Sequence, residues 1–140
     1  MTTIACDGLT MAGDGQAEAQ GTIVSTKRQK VFRLNDGSLF GASGRTIDSE
    51  AVAKWLVDGG KKPKVKSEFT ALRLHPDGRL DYLTDALEPV KIDIPAATGS
   101  GMDFALGAMS AGATAEKAVG IAARFDPSTG GEVICLAVNP

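Results

Sequence analysis

The chain has 140 residues, 43% of them hydrophobic and 23% charged, with a net charge of −2 and two cysteines, enough for one domain with a core of its own. The near-neutral balance argues against nucleic acid as the main partner, because phosphate binding needs a concentrated basic surface. No apolar run approaches the roughly 20 residues that a membrane span needs, and the first residues lack the basic-then-apolar form of a signal peptide, so a cytoplasmic protein with no membrane contact is expected.

Strand pattern begins almost at once, with Thr3 to Cys6, a turn at Asp7-Gly8, and Leu9 to Gly13. Asp-Gly between two apolar runs is a strong hairpin signal. Thr22 to Ser25 and Val31 to Leu34 read as further strands, followed by a turn at Asn35-Asp36-Gly37 and a strand from Ser38 to Ala42, so four or five short strands are expected before the first helix. The spacing predicts that helix over Thr46 to Asp58. Ile47, Val52, Trp55 and Leu56 fall on or near one face, Asp48 and Glu50 sit in the first turn where acids favour the helix dipole, and Gly59-Gly60 stops it. Lys61 to Lys66 reads as a solvated basic linker. Strands resume with Glu68 to Leu74, turn through Pro76-Asp77-Gly78, and continue with Arg79 to Thr84 and Val90 to Ile94. Two helices follow, Met102 to about Ala111 and Thr114 to Phe125, the second with Ala118, Val119, Ala122 and Phe125 at helical spacing. Glu132 to Val138 reads as the last strand. This order predicts sheets covered by helices, an α+β sandwich, and not alternating βαβ units.

Few residues stand out chemically when taken singly. Cys6 and Cys135 lie in apolar strand-like runs without metal-ligand spacing, and read as buried thiols of a reducing compartment. His75 adjoins the Pro-Asp-Gly turn with no second histidine, so it reads as a surface turn residue, and neither a zinc site nor a serine-histidine triad is expected. There is no GxxxxGK[ST] phosphate loop, although Ala97 to Gly101 opens a helix whose N-terminus would attract anions. Ser100, with Asp103 three residues on, is either a helix cap or a functional serine. Asp14 by itself is a turn aspartate, and Lys30 by itself a solvated lysine. A threonine held beside its own free amine, as Thr2 would be without Met1, is a catalytic device.

Read together, Thr2-Thr3-Ile4, Met11-Ala12-Gly13-Asp14-Gly15-Gln16, Gln29 to Leu34, Leu39-Phe40-Gly41-Ala42-Ser43-Gly44 and Gly99-Ser100-Gly101 resemble the ordered motif series of the HslV-type peptidases, which are proteasome β-type N-terminal nucleophile hydrolases. The resemblance spans nearly the whole chain, and the TTI and AGDGQ pair is its most specific part. It implies the N-terminal nucleophile hydrolase sandwich of two antiparallel sheets flanked by helix layers. It also implies Thr2 as nucleophile once Met1 is removed, Asp14 as a buried aspartate, Lys30 as an active-site lysine, Gly41 as the oxyanion-hole backbone donor, and Ser100 as the serine supporting the terminal threonine. No cofactor is implied, and whether a metal ion sits in the turns from Asp126 to Gly131 stays open.

The same resemblance implies a homo-oligomer of stacked rings that cleaves unfolded polypeptides in an inner chamber. The chain is shorter than HslV, with only the Gly-Lys-Pro linker where HslV carries a further helix. One helix layer is therefore expected to be reduced, as in compact proteobacterial relatives, and no specific ATPase unfoldase is inferred as partner. The rival expectations are a non-catalytic or unprocessed ring scaffold, and an N-terminal nucleophile amidohydrolase acting on small amides.

Overall fold

The computed structural model describes residues 2–140; Met1, whose removal the sequence reading invokes, lies outside the described residues. Among the described residues eleven strands and three helices follow one another as β1 (Thr3–Cys6), β2 (Thr10–Gly13), β3 (Ala17–Ala19), β4 (Thr22–Ser25), β5 (Val31–Arg33), β6 (Leu39–Ser43), α1 (Thr46–Asp58), β7 (Thr70–Leu74), β8 (Leu80–Leu83), β9 (Val90–Ile92), β10 (Ala96–Gly99), α2 (Met102–Ser110), α3 (Ala115–Phe125) and β11 (Ile134–Ala137). They form a four-stranded sheet in the order β10-β1-β2-β11, a five-stranded sheet in the order β5-β6-β7-β8-β9, and a separate β3-β4 hairpin. Every pairing is antiparallel.

Alternation along the strands builds three apolar layers. Ile4, Cys6 and Met11 of the first sheet meet Val31, Leu39, Leu72, Leu74 and Leu80 of the second between the sheets. The outer face of the first sheet carries only small side chains, Ala5, Ala12 and Ala97, and these let α2 and α3 sit close through Ala105, Ala115, Ala118 and Ala122. The outer face of the second sheet, with Phe40, Ala71 and Leu83, is covered by α1 through Val52, Trp55 and Leu56. The result is the expected helix–sheet–sheet–helix sandwich, with the α1 layer reduced to one helix. Asp7 ties two elements together. It accepts from Leu9 N–H at 2.9 Å and Thr10 N–H at 2.7 Å to close the β1-β2 turn, and from Ala115 N–H at 2.9 Å at the start of α3.

Several local expectations need correction. Six strands precede α1, because Ala17–Ala19 pairs with Thr22–Ser25 although it lacks a strand-like run. Of the Ala97 to Gly101 run, expected to open a helix, Ala97 to Gly99 belong instead to the edge strand β10 paired with β1, and α2 begins only at Met102. On α1 it is Asp48 and Val52 that are buried, while Ile47 is exposed. Asp48 is clamped by Arg45 through two hydrogen bonds of 3.0 and 2.9 Å and takes the Lys66 N–H at 3.2 Å, so it fastens the linker to the helix start. His75 is half-buried and joins Asp81 at 2.8 Å. Both thiols are free, and burial pushes Cys6 up to about 11. No described helix is long and apolar enough to cross a membrane.

Candidate active site

Thr2 stands immediately before β1, an interior strand held by β2 on one side and β10 on the other, and is only 5% exposed. Its placement depends on Gly99, the β10 partner of Thr3. Gly99 has φ +99°, and a Cβ there would overlap the Thr2 carbonyl, so only glycine lets the backbone pass that closely.

The AGDGQ motif carries Asp14 from the end of β2 to the first residues of the chain. Asp14 Oδ1 accepts from the Thr3 N–H at 3.0 Å and from Lys30 Nζ at 2.9 Å. Its Oδ2 accepts from the Gly130 N–H at 3.1 Å and the Gln16 N–H at 3.4 Å. Lys30, just ahead of β5, also donates to the Gln16 carbonyl at 2.7 Å. The pair is withdrawn from solvent, with side-chain exposures of 8% for Lys30 and 0% for Asp14. Burial holds the Lys30 pKa below the usual lysine value, against the opposing pull of Asp14. The structure thus places Asp14 and Lys30 together, buried, at the start of the chain.

Ser100 does not cap α2. Gly101 is the N-cap and no side chain bonds there. Its hydroxyl instead donates to Asp126 Oδ2 at 2.6 Å and stands 3.4 Å from the Thr2 carbonyl oxygen. Thr129 Oγ1 donates to the same Asp126 oxygen at 2.6 Å and lies 2.7 Å from Thr3 Oγ1. Asp126 and Thr129 thus join the site; in the sequence they stand out only within the turns from Asp126 to Gly131, where the question is a metal ion and not contact with the chain start. Asp126 is engaged by Ser100, Thr129 and the Ser128 N–H, and no group of three or more His, Cys, Asp or Glu among the described residues could hold a metal ion.

Gly41 is not brought to the site. It lies inside β6, paired with Val31 on one side and Leu72 on the other, and a Cβ there would meet Ile4 Cγ2 at 2.8 Å in the layer between the sheets. The glycine that reaches the site is Gly44, one residue beyond β6, with φ +135°. Thr2, Lys30, Ser43, Gly44 and Thr46 line one open cleft of about 500 Å³. No backbone carbonyl outside the regular elements accepts from the Gly44 N–H among the described residues. Arg28 spans part of the cleft, donating from Nη1 to Thr46 Oγ1 at 2.8 Å.

No family model matches this sequence, and no curated protein is significantly similar to it. Solved structures are similar over nearly the whole chain. Thiobacillus denitrificans BPH has a TM-score of 0.72 at 19% identity, covering 99% of this chain and 98% of that one. Thiobacillus denitrificans BPH in complex with Epoxomicin gives 0.71 at 19% identity, covering 99% of each chain. Eukaryotic HslV from Trypanosoma brucei gives 0.67 at 18% identity, covering 97% of this chain and 98% of that one. At such identities the likeness speaks to architecture alone: the chain shares the α+β fold of these BPH and HslV structures.

Proposed function

We propose that this chain is a threonine endopeptidase subunit of an HslV-like ring, with Thr2 as nucleophile once Met1 is removed, acting in the cytoplasm on unfolded polypeptides. The observation that carries the reading is the buried Lys30–Asp14 pair, whose carboxylate oxygen is shared with the Thr3 N–H directly behind Thr2. A buried ion pair is a poor stabiliser, because the desolvation of both ions offsets their attraction. Beside a nucleophile it supplies a fixed charge.

The chemistry follows from ordinary values. A free α-amine has a pKa of about 8, so part of it is a neutral base near pH 7. The Thr2 amine takes the proton from Thr2 Oγ1, directly or through a water, as the oxygen attacks the peptide carbonyl. A C–O bond forms and the carbonyl electron pair moves to its oxygen. The charge of Lys30 disfavours a second positive charge nearby and lowers the amine pKa, while Asp14 holds the lysine in place. Gly44, in place of Gly41, offers its N–H to the oxyanion, a donor worth on the order of 3 kcal/mol in other enzymes. As the C–N bond breaks, the departing amine takes the proton back from the Thr2 ammonium and leaves an ester on Thr2. A water, deprotonated by the same amine, then hydrolyses that ester. Ser100, Asp126 and Thr129 support the backbone on the other side of Thr2, where Ser100 adjoins its carbonyl.

The fold shared with a BPH structure that contains Epoxomicin, a peptide epoxyketone, supports the choice of probe. Such a reagent needs both the threonine hydroxyl and the free amine. Intact mass spectrometry of a chain starting at Thr2 is expected to show one added inhibitor mass, and Thr2→Ala none, with peptide hydrolysis lost in parallel. A chain confirmed to start at Thr2 that stays unmodified and cleaves no peptide would move the reading to a non-catalytic ring scaffold.

A further inference from the structure

At the end of α1 remote from the Thr2 cleft lies a second cavity, of about 150 Å³. One wall is a polar face of the β7-β8 hairpin. Arg73 and His75 come from one arm and Arg79 and Asp81 from the other, alternate residues that the pleat sends to the same side. The facing wall is apolar, with Trp55 from α1 and Leu87 from the segment after β8.

Neither guanidinium is fully used by the protein. Arg73 donates from Nε to Ser38 Oγ at 3.1 Å and from Nη2 to Asp36 Oδ2 at 2.7 Å. Arg79 Nη2 stands 3.0 Å from His75 Nε2, the nitrogen that also meets Asp81 Oδ2 at 2.8 Å, and its Nε stands 3.6 Å from Asp81 Oδ2. In both, Nη1 meets no acceptor among the described residues. Each guanidinium thus faces one carboxylate, Arg73 that of Asp36 and Arg79 that of Asp81, and keeps its Nη1 group for a further acceptor. Leu87 adds an independent sign. It is buried, yet its φ is +57°, a conformation that a branched side chain adopts at a cost and that clusters at ligand sites. The Thr2 chemistry uses none of these groups.

We propose that this cavity binds a small carboxylate with an apolar body, the carboxylate on Arg73 and Arg79 and the hydrocarbon between Trp55 and Leu87. Guanidinium forks match the planar two-oxygen geometry of a carboxylate. The volume equals about five water molecules at roughly 30 Å³ each, which suits a ring or branched chain of about six carbons. A free acid and the last residue of a peptide present the same chemistry.

Trp55 is the one tryptophan of the chain, so its fluorescence reports on this wall directly. Titration with cyclohexanecarboxylate is expected to give a saturable change, with cyclohexanecarboxamide at least about tenfold weaker. Arg79→Gln, at a side chain 49% exposed and outside the core, is expected to weaken the acid by a similar factor. A short peptide ending in a free leucine carboxylate separates the sources: a response to the peptide alone assigns the site to chain termini, and a response to the free acid assigns it to small acids. Equal affinity for acid and amide, unchanged affinity in Arg79→Gln, or no response to either carboxylate would overturn the proposal.

Discussion

Asp126 gathers the Ser100 and Thr129 hydroxyls on one carboxylate oxygen, each at 2.6 Å, and the Ser128 N–H on the other at 3.0 Å. Burial pushes its carboxyl upward, but these donors outweigh burial and hold the pKa below 3.8. In the unfolded chain the group returns to its ordinary value, so there the proton is bound more readily than in the folded state. The stability it contributes is therefore complete above the unfolded pKa and is lost as pH falls through the folded one. We expect the urea midpoint of the wild-type chain to fall more steeply below about pH 4 than that of Asp126→Asn, which has no proton to gain. Parallel curves would mean that the hydroxyl network does not favour the charged form. At this scale the sequence exposed Thr2, Asp14, Lys30 and Ser100, because each sits in a short motif with its neighbours. Asp126 and Thr129 were hidden because they reach the chain start only through the fold. Gly41 and Gly44 share one motif, and only the end of the β6 ladder separates a buried peptide from one that faces the cleft. His75 looked solitary for a similar reason, since its partner Asp81 comes from across a hairpin.

Among elements, the hairpins with Asp-Gly or Pro-Asp-Gly turns were legible because the turn residue itself is part of the bonding, as Asp7 shows. The edge strand β10 was not, since Ala-Ala-Thr-Gly lacks the branched and aromatic residues that mark strands. What makes it a strand is its pairing with β1 and the need for small side chains beneath α2, where Ala97 packs against Ala105 and Met109. The glycines of this region test that account. Gly99→Ala would force a Cβ into the Thr2 carbonyl at a positive φ, and we expect a loss of more than about 3 kcal/mol or failure to fold. Gly107 lies within α2 with nothing within 4 Å of its absent Cβ, so Gly107→Ala should stabilise by roughly 0.5–1 kcal/mol through helix propensity. Urea unfolding of both variants checks the contrast. Equal effects of the two substitutions would mean that β10 does not position Thr2.

For the whole molecule, both cavities described above lie along α1, and the opposite helix layer carries an exposed aromatic pair. Phe104 on α2 and Phe125 on α3 stack with ring centroids 5.5 Å apart, yet they are 43% and 58% exposed. Contiguous exposed apolar surface is a common feature of contact surfaces. In the proposed homo-oligomer we assign it to a second copy of the chain, an arrangement that leaves the α1 side free. The double variant Phe104→Ser with Phe125→Ser removes little from the isolated chain, where surface substitutions usually stay within about 0.5 kcal/mol. Across an interface, truncating a buried aromatic anchor costs about 2 kcal/mol or more, at least roughly thirtyfold in affinity per contact. Sedimentation velocity at micromolar concentration is therefore expected to show the wild-type chain as a multiple of its own mass and the double variant shifted toward monomer, with the same thermal midpoint for the dissociated chain. A wild-type chain that sediments as a monomer throughout would remove the ring from the proposed function, whereas an equally assembled double variant would move the contact to another face, the exposed Ile23 and Val24 of the β3-β4 hairpin being the next to substitute.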